Sequence, residues 1–166
     1  MTPRDLPDLT FRAYAGGDLA AVRVLHRDSF AALALGHYAP SQIAAHDSLI
    51  ADLAYADDLA RSHVMLAESP GGAIVATVGW IALPDEPQTA RIRKLFVAPA
   101  VARRGLGRHL LAQTEAAARA AGHRRFFLRA YLNAVPLYLS SGYRADHTGV
   151  MTLPGAVEMP VLFMRK

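Results

Sequence analysis

The most unusual run in the chain is Ala102-Arg103-Arg104-Gly105-Leu106-Gly107-Arg108-His109, which falls between a strand pattern and a long helix pattern. A helix N-terminus already carries partial positive charge, so each added cation there costs roughly 0.3–1 kcal/mol. Two glycines weaken this start further, and a local conflict of that kind marks functional sites. An anion resolves it. Glycines let backbone approach closely, the first N–H groups of the helix point outward, and arginines complete a cradle for phosphate. The bland alternative is a tight strand-to-helix turn with solvated arginines. A Walker loop is absent, and a dinucleotide fingerprint would need a third glycine at position 110, where Leu110 stands. At the far end of the helix, Arg119, His123, Arg124 and Arg125 sit where the dipole favours cations, so they require no ligand.

The elements that must hold this run can be read from periodicity. Thr10 to Tyr14 reads as a short strand, ended by Gly16-Gly17. Asp18 is expected to cap a first helix over about 18–34, with Leu19, Val22, His26, Phe30 and Leu33 on one face. Ser41 is expected to cap a second helix carrying Ile43, His46, Ile50 and Leu53. Val64–Ala67 and Ala73–Leu83 flank Ser69-Pro70-Gly71-Gly72 as a hairpin. Thr89–Val97 follows as a strand that sets Ala90, Ile92 and Lys94 against Arg91, Arg93 and Leu95. Pro99 stops it. A helix over about Arg104–Ala121 places Leu106, Leu110, Thr114, Ala117 and Ala121 on one stripe and ends at Gly122. Arg125–Tyr131 is a strand, Asn133 caps a short helix closing at Gly142, and strands over Tyr143–Leu153 and Val157–Arg165 finish the chain. The order β-α-α-β-β-β-α-β-α-β-β predicts one α/β domain over residues 1–166 with a mixed sheet.

Composition agrees. Of 166 residues, 52% are hydrophobic and 19% charged, enough apolar material for a packed core and too much for general disorder. The longest apolar stretch, Ala73–Leu83, is too short to span a bilayer, and the opening Met1-Thr-Pro-Arg-Asp-Leu-Pro-Asp shows no apolar signal segment. The absence of cysteine excludes disulfides, thiolate nucleophiles and cysteine zinc sites. No metal site is expected, and the reading is of a cytoplasmic protein. Eighteen basic residues face fourteen acidic ones, and only Lys94 and Lys166 are lysines. The basic residues gather at the two ends of one helix and not along a stripe, which argues against nucleic acid as the main partner.

Leu95-Phe96-Val97, Pro99, Arg103-Arg104-Gly105-Leu106-Gly107 and the following helix together resemble the acetyl-CoA-binding core of the GNAT N-acetyltransferase superfamily. Asn133-Ala134-x-Pro136-Leu137-Tyr138-x-x-x-Gly142-Tyr143 resembles that family's later segment, spaced more tightly. Ala102 stands where the family pattern usually has glutamine or arginine, and Arg103 and Arg104 are the candidates to replace that contact. The resemblance implies a GNAT-like acyl-CoA N-acyltransferase fold, with a mostly antiparallel twisted sheet flanked by helices. It also implies acetyl-CoA as cofactor, with the pyrophosphate at Arg103, Arg104, Gly105, Leu106, Gly107 and Arg108. The pantetheine arm would lie along Leu95, Phe96 and Val97, with Asn133 as a further contact if it does not merely cap its helix. Tyr138 takes the place of the general acid; the alternative is that it only packs beside Tyr131 and Leu137.

The implied reaction is acetyl transfer from acetyl-CoA to a primary amine on a small molecule or peptide, within a ternary complex. No base stands out. Many relatives place a glutamate on the central strand, but Arg91-Ile-Arg-Lys-Leu-Phe-Val has none. Glu68, Asp85, Glu86, Asp146 and Glu158 carry no distinguishing feature; His37 and His46 lie near the expected acceptor side, and His46 reads as a packed core residue. The missing carboxylate keeps a second class open, a CoA-binding regulatory module with weak turnover or none. Edge strands near the C-terminus also offer a place for two subunits to pair.

Overall fold

The computed structural model describes residues 8–166; the absence of a signal segment, read largely from Met1–Pro7, concerns residues outside that range. Twelve regular elements follow in chain order: β1 (Thr10–Ala13), α1 (Leu19–Leu33), α2 (Pro40–Ala51), α3 (Leu53–Ala60), β2 (His63–Glu68), β3 (Ile74–Ala82), β4 (Thr89–Val97), α4 (Leu106–Ala120), β5 (Arg125–Tyr131), α5 (Val135–Ser140), β6 (Arg144–Leu153) and β7 (Val157–Arg165). The strands form one seven-stranded sheet in the order β1-β2-β3-β4-β5-β7-β6. Every pairing is antiparallel except β4 with β5. This is the mixed, mostly antiparallel sheet expected, with β6 at one edge.

Three helices, not two, precede the hairpin. The second expected helix breaks at Asp52, whose backbone turns extended (φ −64°, ψ 148°) and whose carboxylate accepts from the Ala54 N–H at 2.8 Å. That is an N-cap inside what reads as one amphipathic run. The other expected caps differ as well. Asp18 makes no side-chain bond to α1; it accepts from Arg12 and from the Ala15 N–H. Ser41 does not cap α2, because Pro40 already starts it and Gln42 holds the Ala39 N–H at 2.9 Å. The long helix begins at Leu106 instead of Arg104, and it buries Leu106, Leu110, Leu111, Thr114, Glu115 and Ala118, leaving Ala117 and Ala121 outside. Buried Glu115 is held by Lys166 at 2.7 Å and Arg119 at 3.2 Å.

The sheet has a core on each face. On one, α4 packs over β3 and β4, and Trp80, Ile92, Leu110, Phe126 and Leu128 form the largest apolar cluster, with Tyr138 of α5 at its margin. On the other, α1, α2 and α3 cover clusters around Phe30, Phe96 and Val161 and around Ile50, Leu59 and Leu66. A bulge in β4 decides which residue meets which face. Thr77 pairs with Phe96 and Gly79 with Arg93, so Val78 alone opposes both Lys94 and Leu95. Lys94 takes a left-handed φ of 57° to allow this. The strict alternation expected for β4 therefore fails. Lys94 joins Arg91 and Arg93 on the α1–α3 face, while Leu95 and Val97 join Ala90 and Ile92 against the α4 core. Among the described residues no helix is long and apolar enough to cross a membrane.

Candidate active site

β4 and β5 are hydrogen-bonded only from Thr89–Arg125 to Arg91–Phe127. Beyond that rung β5 stays with β7 as far as Tyr131–Val161, while β4 stays with β3 as far as Val97–Ala76. The two parallel strands therefore part, and the upper half of β4 has no strand on that side. The Ala98 N–H turns to β3, donating to the Val75 carbonyl at 2.8 Å. By the alternation of a strand, the backbone groups of Leu95 and Val97 face the gap and those of Phe96 face β3. The Val97 carbonyl is met by the Ser29 hydroxyl of α1 at 2.8 Å. Phe96 contributes its ring instead, stacked on His26 at 4.0 Å between centroids.

The glycine-led start of α4 opens on the same gap. Gly105 is the N-cap with φ 87°, and Arg103 is also left-handed at φ 64°. The first helical bond runs from the His109 N–H to the Gly105 carbonyl at 3.0 Å. Among the described residues, no backbone N–H from Arg103 to Arg108 meets a protein acceptor outside the helix itself, and no acidic side chain occupies the first turn. Arg103 and Arg104 are exposed and form no ion pair there. Arg108 reaches across to α5, donating to the Ser140 hydroxyl at 3.0 Å. Leu106 is buried beneath the turn. A Cβ at Gly107 would lie 3.4 Å from Leu137 and 3.6 Å from Val97, so α4, α5 and the free edge of β4 converge at this glycine.

Tyr138 stands on α5, with 7% of its surface exposed and an edge-on contact to Tyr143 at 5.7 Å. Its hydroxyl has no hydrogen-bond partner among the described residues, and burial raises its pKa far above the usual phenol range, so it stays protonated. Asn133 does not cap α5; the cap position is Ala134, and no side chain bonds there. The Asn133 Oδ1 is instead buried without a partner. An orphaned amide oxygen, a β4 edge unpaired by any strand at Leu95 and at the Val97 N–H, and uncommitted N–H groups at Gly105–Arg108 suit a ligand made of amides and phosphates. The residues present thus fit coenzyme A.

Across the sheet, α1 and α2 enclose a cavity of about 600 Å³ whose walls include Arg27, Phe30, Tyr38, Ile43, His46 and Asp47. His46 stacks on Phe30 at 3.7 Å and its Nε2 shares a hydrogen bond with the Tyr131 hydroxyl at 2.9 Å, while Nδ1 is buried without a partner. His26 lies deeper, bonded to the Tyr55 hydroxyl at 2.6 Å and the Thr77 hydroxyl at 2.7 Å. Both imidazoles are neutral: burial, then the field of Lys94, lowers His46 to about 3 and His26 well below its usual value. Burial also brings Lys94 down to about 8 even though Asp58 contacts its ammonium at 2.9 Å. The carboxylates without a distinguishing feature lie elsewhere. Glu68 pairs with Arg12, Glu86 and Asp146 with Arg165, and Asp85 and Glu158 are exposed, as is His37.

The sequence reading passed over the cations on this face, Arg91, Arg93 and Arg129. Two of them are visible as Arg91-x-Arg93, but the third lies on another strand and joins them only through the β4–β5 register.

Residues 34–151 match the family described as "Acetyltransferase (GNAT) domain". Solved structures agree along nearly the whole chain. A GCN5-related N-acetyltransferase from Rhodopseudomonas palustris, also described as a class-II aminotransferase, has a TM-score of 0.84 at 25% identity, with 95% of this chain and 94% of that one covered. The PaiA N-acetyltransferase of Thermoplasma acidophilum, in complex with coenzyme A, scores 0.73 at 15% identity over 96% and 98%. A ribosomal-protein-alanine N-acetyltransferase from Brucella melitensis scores 0.64 at 18% identity over 95% and 98%. No curated protein matches the sequence.

Proposed function

The chain belongs to the GNAT acetyltransferases, and from that premise we propose that residues 1–166 act as one domain. The domain would transfer an acetyl group from acetyl-CoA to a primary amine of a small molecule or peptide by direct attack in a ternary complex in the cytoplasm. The observation that carries the proposal is the parting of β4 from β5 immediately beside a helix start whose amide N–H groups are uncommitted.

Bound acetyl-CoA supplies a thioester carbonyl and a thiolate leaving group. Arg103, Arg104 and the N–H groups of Gly105–Arg108 hold the pyrophosphate, as expected where dipole and free donors coincide. Leu95 and Val97 pair with the pantetheine amides through the groups that face the gap, a form of strand addition, and Phe96 fixes the edge from behind through His26. Asn133 offers its unpartnered amide. As the neutral amine nitrogen takes the acetyl group and the C–S bond breaks, Tyr138 would give its proton to the sulfur; the proton shed by the nitrogen would pass to solvent, from which the phenol is restored. Burial keeps the phenol protonated at neutral pH, so its proton is present when the sulfur departs. The coenzyme A in the Thermoplasma relative supports the cofactor assignment.

Calorimetry with coenzyme A and acetyl-CoA, followed by thiol release with a panel of amines, tests this. Binding of both and amine-dependent release are expected. Failure of the folded protein to bind either removes the proposal. Binding with no amine-dependent release would favour the rival reading, a regulatory module.

A further inference from the structure

Arg91 and Arg93 of β4 and Arg129 of β5 all point to the α1–α3 face. Arg91 pairs with Phe127 across the last shared rung, so Arg93 and Arg129 lie at the next positions, one on each lip of the gap. Tyr131, whose hydroxyl holds the cavity-lining His46, is two residues further along the same lip. The fields of Arg129, Arg91 and Arg93 all act on Tyr131, although burial is what chiefly drives its phenol up to about 12.

The balance of charge is uneven. Asp58 of α3 contacts both Arg93 and Lys94. Of the other carboxylates on the covering helices, Asp28 pairs with Arg27 and Asp52 caps α3, while Asp47 and Asp57 are exposed and, among the described residues, form no ion pair. Among the described residues, Arg91 and Arg129 have no carboxylate partner, and the Nε atoms of Arg91 and Arg93 are buried without any acceptor. Burial, followed by the fields of Arg129 and Arg93, lowers Arg91 to about 10. Half-buried guanidinium groups gathered this closely are unfavourable unless an anion completes them, and a guanidinium fork matches a carboxylate in shape.

We propose that Arg91, Arg93 and Arg129 form a carboxylate clamp for the acceptor, so that the amines this enzyme acetylates are those that also carry a carboxylate. The inference rests on the acetyl-transfer reading and names its substrate class. The clamp lies on the face opposite α4, away from the proposed pyrophosphate cradle, so it is not a second phosphate site for the cofactor. It also addresses the absence of a carboxylate base on β4. A cationic field disfavours an ammonium, so an acceptor anchored there by its acid group presents its amine more readily in the neutral, attacking form. Diamines and polyamines gain nothing from this site and are repelled by it.

The test uses matched pairs that differ only by a carboxylate: phenylalanine with phenethylamine, lysine with cadaverine, arginine with agmatine. For each, kcat/KM is read by thiol release, and binding is read separately as a melting-temperature shift of the coenzyme A complex. The carboxylate member of at least one pair should be favoured by about 10–100-fold, the range for charge-assisted hydrogen bonds. Arg129→Gln should bring that ratio towards one by raising KM while coenzyme A affinity holds, and Arg129→Lys should restore part of it. The clamp is refuted if neither turnover nor the melting shift separates the members of any pair, or if Arg129→Gln weakens both members alike. Loss of coenzyme A binding by the unaltered protein would instead strike the acetyl-transfer reading itself.

Discussion

Mild acid should destabilise this protein through two histidines. His26 and His46 are 0% and 1% exposed, and both are held as neutral rings by hydroxyl groups and aromatic stacking. The unfolded chain takes up a proton at each near pH 6.5, whereas folded His46 resists until about pH 3, chiefly because burial penalises the charge. A depressed pKa of this kind gives stability that is complete above the unfolded value and drains away as pH falls. The loss is about 1.4 kcal/mol per pH unit for each group. Between pH 6.5 and 5, His46 alone should remove about 2 kcal/mol, and His26 adds to it in the same direction. The ion-paired carboxylates Asp18, Asp58, Glu86 and Asp146 have lowered pKa values too, so they matter only below about pH 4, outside this window. Urea unfolding at pH 6.5 and 5 measures the difference. His46→Gln should shrink the loss by about the His46 share. A flat profile, or an identical loss in the variant, would refute the assignment of the acid sensitivity to the buried rings.

Other outcomes follow from the same geometry. Tyr138→Phe should lower kcat by about 10²–10⁴-fold with coenzyme A affinity and melting temperature nearly unchanged, since its hydroxyl bonds to no described protein group; undiminished turnover excludes it as the acid. A Cβ added at Gly105 meets no atom within 4 Å, so the cost of Gly105→Val comes chiefly from the left-handed backbone, about 1–2 kcal/mol. Coenzyme A affinity should fall with it, and calorimetry showing full affinity would displace the cradle from this turn. At the alkaline end, folded Lys94 releases its proton near pH 8 while the unfolded chain keeps it to about 10.5. Stability should therefore rise over that interval, by about 3 kcal/mol at most. Lys94→Met should flatten the rise in thermal melts, and an unaltered rise would assign it to another group.

The strands were the most legible part of the chain because most are β-branched or aromatic runs bounded by proline or glycine. Thr89–Val97 matches its expected bounds. Caps were the least legible. Asp18, Ser41 and Asn133 are all suitable residue types, but Arg12 claims Asp18, Pro40 starts the helix before Ser41, and a 3-10 turn over Leu132–Ala134 moves the cap position from Asn133 to Ala134. The split at Asp52 carries neither glycine nor proline, and only the aspartate itself marks it. At the site, Gly105 and Gly107 stand out by their place before the long helix and Tyr138 only through the family resemblance; the structure brings Gly107 beside Val97 and Leu137. The arginine cluster could not be read that way. Arg129 meets Arg91 and Arg93 through a parallel register between segments 36 residues apart, and the bulge that turns Lys94 towards Asp58 depends on the opposing Val78.

That bulge divides β4 into two segments of opposite phase. Up to Arg93, odd-numbered side chains look towards the α1–α3 face; from Leu95 onward, odd-numbered side chains look towards α4. Were the pleat to run straight with Lys94 kept, Phe96 would swing to the α4 face and Leu95 and Val97 would turn against His26; deleting position 94 would remove the bulge and leave those three on their present faces. Keeping the bulge insulates one half of the strand from the other. Under the proposed reading, substitutions at Arg91 or Arg93 would then retune which amines are admitted while the edge proposed to align the thioester stays where it is.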